Sequence, residues 1–244
     1  MLRSAQQSYG SKLSATDGEI GRVKDFYFDD QEWVVRYVIA DTGFWLSGHL
    51  VLLSPRAFES FSQGGERMVV NLSRKKIEDS PPIEAHMPVS RQFEERYHQY
   101  YDWPSYWEAG GMWGAVGLGI TPPPQLQPMK EETWKSAPRH EGDTHLRSAK
   151  ALAGYQIQTK EGVVGEVTDF MIDAESWAIR QVLVQTGHMF SKKEIVISPS
   201  SIDRISYEES KVFVSLTKED ILNAPERRAS GAQVHDASGL ADRS

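Results

Sequence analysis

Part of the chain is written twice, and this limits what it can fold into more than any other feature. The stretch Gly18 to Asp29, GEIGRVKDFYFD, returns as GVVGEVTDFMID from Gly162 to Asp173. Displacing the sequence against itself by about 144 positions aligns Leu2–Pro81 with Leu146–Pro225 without a gap. Roughly two dozen of about eighty aligned positions are identical, too many for chance. Leu2-Arg3-Ser4-Ala5 matches Leu146-Arg147-Ser148-Ala149, Trp33 matches Trp177, Arg36 matches Arg180, and Ser54-Pro55 matches Ser198-Pro199. Such a long period means domain duplication, not a solenoid.

Each copy reads as strands. Asp17-Gly18 is a tight-turn signal. Ile20–Phe28 and Trp33–Ala40 are rich in β-branched and aromatic residues and are joined by the polar turn Asp29-Asp30-Gln31-Glu32. Further strands are predicted at His49–Leu53 and at Arg67–Leu72, where Met68, Val70 and Leu72 alternate with Val69 and Asn71. Ser73 and Thr217 read as N-caps of short helices that end before Pro81 and Pro225. The expected class is mainly β: two small barrels, each closing on its own apolar interior, a short helix after each, and an aromatic helix between them. Gly21 and Gly165 are expected at a bulge or a close strand approach.

A hairpin turn centred between Asp30 and Gln31 sets Asp25 opposite Arg36, and Asp169 opposite Arg180. An ion pair in each barrel follows, of about 0.2–1 kcal/mol if exposed, fixing register more than stability. The alternative for Arg36 and Arg180 is an anion site.

The segments GEIGRVKDFYFDDQEWVVRYVIADTG, HLVLLSP and VVNLSRKKIEDSP resemble a PRC-barrel domain, and so do GVVGEVTDFMIDAESWAIRQVLVQTG, EIVISP and VFVSLTKEDILNAP. The resemblance covers both copies. It implies a compact β-barrel used as a surface for protein partners, as in the cytoplasmic part of the photosynthetic reaction centre H subunit and the C-terminal domain of a ribosome maturation factor. The chain is more similar to tandem PRC-barrel proteins of bacteria. It carries no stretch like the membrane helix of the H subunit and no separate N-terminal domain like that of the maturation factor.

The domain reading is barrel one over 1–81, an aromatic helical segment over 82–109, a linker over 110–145, barrel two over 146–225, and a disordered tail over 226–244. In VSRQFEERYHQYYDWPSYW, Ser90 reads as an N-cap, Phe93, Glu94, Tyr97 and Tyr101 fall at helical spacing, and the helix should end near Asp102. The dense rings Tyr97, Tyr100, Tyr101, Trp103, Tyr106 and Trp107 read first as cover for an apolar barrel face or for the seam between barrels. Read functionally, Tyr97, Tyr100, Tyr101, Trp103 and Trp107 form a partner-docking patch. Gly110–Pro128, GGMWGAVGLGITPPPQLQP, reads as a flexible linker and lacks the Lys-Ser/Thr of a phosphate loop.

Chemistry is hard to find. The chain has no cysteine and seven histidines, so thiolate metal sites and cysteine nucleophiles are excluded. His140, Asp143 and His145 have ligand chemistry but no expected rigid frame. In the alignment His49 and His188 stand opposite Lys193 and Phe44, so duplication offers no paired metal site. Ser54 and Ser198 precede prolines and lie in no nucleophile elbow. The net charge of −7 argues against direct nucleic-acid binding, and no apolar run reaches the ~20 residues needed to cross a bilayer.

The expectation is a cytoplasmic, non-enzymatic interaction or adaptor protein with no cofactor or metal. Its partner is a protein of unknown identity, with a second copy of the chain as one candidate. The resemblance adds peripheral contact with an electron-transfer membrane complex, as a reaction-centre-like accessory protein, and ribosome assembly intermediates. The alternative is a sensor holding a small molecule or ion at the seam between barrels.

Overall fold

The computed structural model describes residues 1–43, 46, 49–60, 67–81, 91–105, 146–187 and 192–227. The first half contains β1 (Leu2–Ser4), α1 (Ala5–Ser8), β2 (Lys12–Ala15), β3 (Gly18–Asp29), β4 (Val34–Asp41), β5 (Leu50–Leu53), β6 (Phe58–Ser60), β7 (Arg67–Val70) and α2 (Arg74–Glu78). A helix, α3 (Arg91–Tyr101), follows. The second half repeats the series with β8 (Leu146–Ser148), α4 (Ala149–Leu152), β9 (Gln156–Thr159), β10 (Gly162–Asp173), β11 (Ile179–Thr186), β12 (Lys193–Ile197), β13 (Ile202–Ser206), β14 (Lys211–Val214) and α5 (Lys218–Leu222). The class is mainly β, as the alternating pattern predicts: Met68 and Val70 are buried while Arg67 and Val69 are exposed. Ser73 caps α2, and Thr217 forms a capping box with Asp220 on α5.

The strands form two seven-stranded sheets of matching order, β5-β4-β3-β2-β7-β6 and β12-β11-β10-β9-β14-β13, and each takes its seventh strand from the other half. β1 runs antiparallel to β10, with Leu2 opposite Asp173 and Ser4 opposite Met171. β8 does the same to β3, with Leu146 opposite Asp29 and Ser148 opposite Tyr27. This corrects the expectation of two self-contained interiors. A single apolar cluster runs through both halves, and Phe28 meets Phe170 at 5.7 Å. The hairpin ends also touch. Val35 N donates to Trp177 O at 2.9 Å and Ile179 N to Trp33 O at 2.7 Å. Trp33 and Trp177 sit in the left-handed region, at φ 55° and 59°. That conformation is strained for a bulky residue, and these cross-half bonds help hold it.

The exchange is clasped by two carboxylates. Asp169 Oδ2 accepts the Ser4 hydroxyl, and its Oδ1 accepts Gln6 N at 2.9 Å and Phe170 N at 2.7 Å. Asp25 repeats the arrangement with Ser148 Oγ at 2.5 Å, Lys150 N at 3.0 Å and Phe26 N at 2.7 Å. Ser4 and Ser148 meanwhile accept from Gln7 N and Ala151 N. Helices of only four residues thus have their first-turn donors satisfied partly from the opposite half. Burial pushes the Asp25 carboxyl above its ordinary pKa, and the bonds from Ser148, Lys150 and Phe26 pull it back.

These contacts overturn the expected ion pairs. Asp25 faces Ile39 and Asp169 faces Leu183. Arg36 is buried and its Nη2 lies 3.8 Å from Asp29 Oδ2. Arg180 is exposed, and its Nη2 donates to Ser176 Oγ at 3.5 Å. The cause lies in the turn. Asp29 Oδ1 accepts from Gln31 N and Glu32 N, Trp33 belongs to the loop, and a register shift follows between Tyr27 and Phe28.

Gly21 and Gly165 behave as expected. A Cβ at Gly21 would lie 2.0 Å from Asp41 O, and one at Gly165 2.4 Å from Gln185 O. Gly21→Ala should therefore cost about 2–3 kcal/mol in urea unfolding, because overpacking there presses on backbone and not on a movable side chain. Asp25→Ala should cost about 1–3 kcal/mol by leaving buried donors unmatched. Asp25→Asn should cost clearly less, since its oxygen keeps both backbone donors and no buried charge remains; equal losses for the two variants would contradict the clasp.

Candidate interaction surfaces

The helix α3 lies on the outer face of the first sheet. Tyr97, Tyr101, Tyr37, Ile39, Leu52 and Leu146 form a second apolar cluster, in which Leu146 comes from β8 of the other half. Tyr97 is fully buried, meets Tyr37 edge-on at 5.5 Å, and its hydroxyl donates to Leu52 O at 2.5 Å. Tyr101 is buried and stacks on Trp103 at 4.5 Å. Of the rings expected to dock a partner, Tyr97 and Tyr101 are therefore committed to the fold, and Trp103 packs against them half-buried. Tyr100 remains 36% exposed, with its hydroxyl donating to Lys76 O at 3.0 Å. Trp107, Tyr106 and Ser90 lie outside the described residues.

The helix stops where the sequence places its end. Asp102 adopts φ 56°, Trp103 N donates to His98 O at 2.9 Å, and Asp102 N donates to Gln99 O at 3.2 Å. This is a Schellman closure with aspartate in the position glycine usually takes. His98 completes it. Its Nδ1 lies 3.1 Å from the Pro104 carbonyl, which can only accept, so Nδ1 carries the proton and Nε2 accepts from the Tyr37 hydroxyl at 3.0 Å. Burial pushes the His98 pKa down, while the Pro104 bond and Glu94 oppose the shift and Arg56 adds to it. The residue matching Tyr37 in the second half is Gln181, so that half lacks the aromatic anchor on which α3 rests.

Elsewhere the halves meet at an open cleft of about 610 Å³. Tyr9 forms part of its lining, and Arg22, Lys24 and Lys150 line it together with Glu19 and Asp41. Lys150 Nζ sits 5.4 Å above the Tyr9 ring, Lys24 Nζ is 3.3 Å from Asp41 Oδ2, and Arg22 Nη1 donates to Gly10 O at 2.8 Å. The sequence hides this place because Lys150 is far from the others along the chain. Among the described residues no group of three His, Asp or Glu is placed to hold a metal ion. The tract with His140, Asp143 and His145, the expected linker 110–145 and residues 228–244 lie outside the described residues. Glu226, expected in the tail, bridges Ile195, and Arg227 pairs with Glu194 at 3.3 Å.

Two outcomes follow for α3. Tyr97→Ala should lower stability by about 3–5 kcal/mol, the cost of an emptied aromatic site, read as a fall in melting temperature. His98 has a folded pKa below its unfolded value, so its contribution to docking is complete above about pH 6.5 and is lost as pH falls through the lowered folded value. Hydrogen exchange of the α3 amides should quicken over that range, and His98→Asn should flatten the dependence. Glu94 and Arg56 face the same ring, so the flattening is what assigns the effect to His98.

Residues 13–77 match the family model described as PRC-barrel domain. No curated protein matches the chain. The exchanged strands β1 and β8 both fall outside the matched residues. Domains of this family are typically non-catalytic and point to an interaction or accessory module. The matched segment runs from β2 into α2, so it is the first sheet that carries the similarity to a PRC-barrel domain.

Proposed function

We propose that the chain is a non-enzymatic adaptor that binds other proteins through the outer surface of a doubly clasped β body. The observation that carries this reading is asymmetry laid on a repeated frame. Among the described residues only the first half carries a helix like α3, and Tyr100 stays exposed on it beside α2. A tyrosine fixed at one end and open at the other is a common interface anchor. The family match supports the same class of role. Among the described residues no helix is long and apolar enough to cross a membrane. The proposed setting is the cytoplasm, with either a membrane-bound complex or an assembling ribonucleoprotein as the larger partner. The sensor alternative draws on a single feature, the cleft at the seam.

The test is affinity capture of the tagged full chain from native extract, followed by mass spectrometry. The adaptor reading expects a discrete set of proteins whose recovery falls about tenfold or more for Tyr100→Glu, with the melting temperature unchanged. Recovery of the same set by an unrelated tagged protein would refute it.

A further inference from the structure

The two halves were once the same sequence, so each is a control for the other. Around the seam cleft the frame is kept: Gly10, Gly21, Val23, Thr42 and Gly43 match Gly154, Gly165, Val167, Thr186 and Gly187. The side chains that face solvent are not kept. Arg22, Lys24 and Lys150 match Glu166, Thr168 and Gln6, and Tyr9 matches Ala153. The first cleft holds three cations against the carboxylates of Glu19 and Asp41, while the positions matching those five charges carry one carboxylate and no cation. This local positive balance stands on a chain whose net charge is −7. Retained backbone with a reversed charge is the pattern expected when one copy has acquired a ligand.

Arg22 and Lys24 are both exposed and alternate along β3, on either side of buried Val23. Alternate residues of a strand share a face and lie about 7 Å apart. Lys150 lines the same cleft from the other half, above the half-buried Tyr9 ring. None of the three cations is buried, so the cleft spans a ligand more than it encloses one. We infer that this cleft binds an extended acidic segment of a partner protein, with carboxylates at alternate residues meeting Arg22, Lys24 and Lys150. The inference rests on the adaptor reading and names its partner chemistry. Binding of this kind is fast and screened by salt.

The test uses the full chain and a fluorescein-labelled peptide of alternating glutamate and serine, followed by anisotropy. The expected result is saturable binding that weakens about tenfold or more in the variant Arg22→Gln, Lys24→Thr, Lys150→Gln, and weakens again between low and physiological salt. Two of these substitutions are the residues that the second copy carries. Lys150→Gln alone should give a smaller loss in the same direction, which keeps the test valid if the triple variant is unstable. An unchanged affinity in the folded triple variant, or no saturable binding by the wild type, would overturn the inference. Displacement of the peptide by inorganic phosphate at matched ionic strength would also overturn it, in favour of a small-anion site. Captured partners that the triple variant still retains would sink the cleft and leave the adaptor reading standing.

Discussion

A buried carboxylate must be satisfied, and here each one is satisfied across the repeat boundary. Asp25 and Asp169 sit on the long central strands of their sheets, yet two of the three donors to each come from the start of the other half. The geometry is the same twice: one oxygen takes two backbone N–H groups and the other takes a serine hydroxyl. Strand exchange, the shared interior and the meeting of the two hairpin ends all accompany this clasp. Breaking one side would leave polar groups exposed to an apolar surround, which is costlier than the hydrogen bonds themselves are worth.

Much of this was legible. The duplication, the strand-rich copies, the capped short helices, the end of α3 and the close approach at Gly21 and Gly165 all follow from residue type and spacing. The exchange did not follow. Two copies of Leu-Arg-Ser-Ala and two copies of Asp-Phe can be paired within a half or between halves, and sequence identity is the same for both. A signal was present nonetheless, because a Leu-Arg-Ser-Ala motif ahead of each barrel had no local reason to persist. The hairpin register failed for a different reason. Asp29 to Glu32 looked like the whole turn, but Asp29 folds back on its own backbone and draws Trp33 into a left-handed loop position. Periodicity cannot foresee a tryptophan there, since the conformation is sustained by bonds from the opposite hairpin.

The candidate surfaces were legible only in part. Helical spacing placed Tyr97 and Tyr101 on one face, but spacing does not say whether that face meets water or the sheet. Tyr37, their counterpart on β4, decides it, and nothing near it in the sequence announces α3. Where the copies differ is more informative than where they agree. Agreement marks the clasp and the strand approach. Difference marks Tyr37 against Gln181, and the cationic cleft against a lining without cations in the second copy.

The exchange has a consequence for synthesis on the ribosome. The edge of β3 near Tyr27 waits for β8, whose contacts back to it span 117 and 123 residues. β8 (Leu146–Ser148) follows the last of the first sheet's own strands, β7 (Arg67–Val70), so at about 5–20 residues per second that sheet stays incomplete for roughly 4 to 16 seconds after its own strands have emerged. Through that interval an unpaired edge and the carboxylate of Asp25 face the cell without their partners. The nascent first half is thus the stage at which joining to a neighbouring chain is easiest. Having the second copy on the same polypeptide raises its effective concentration and steers the closure inward.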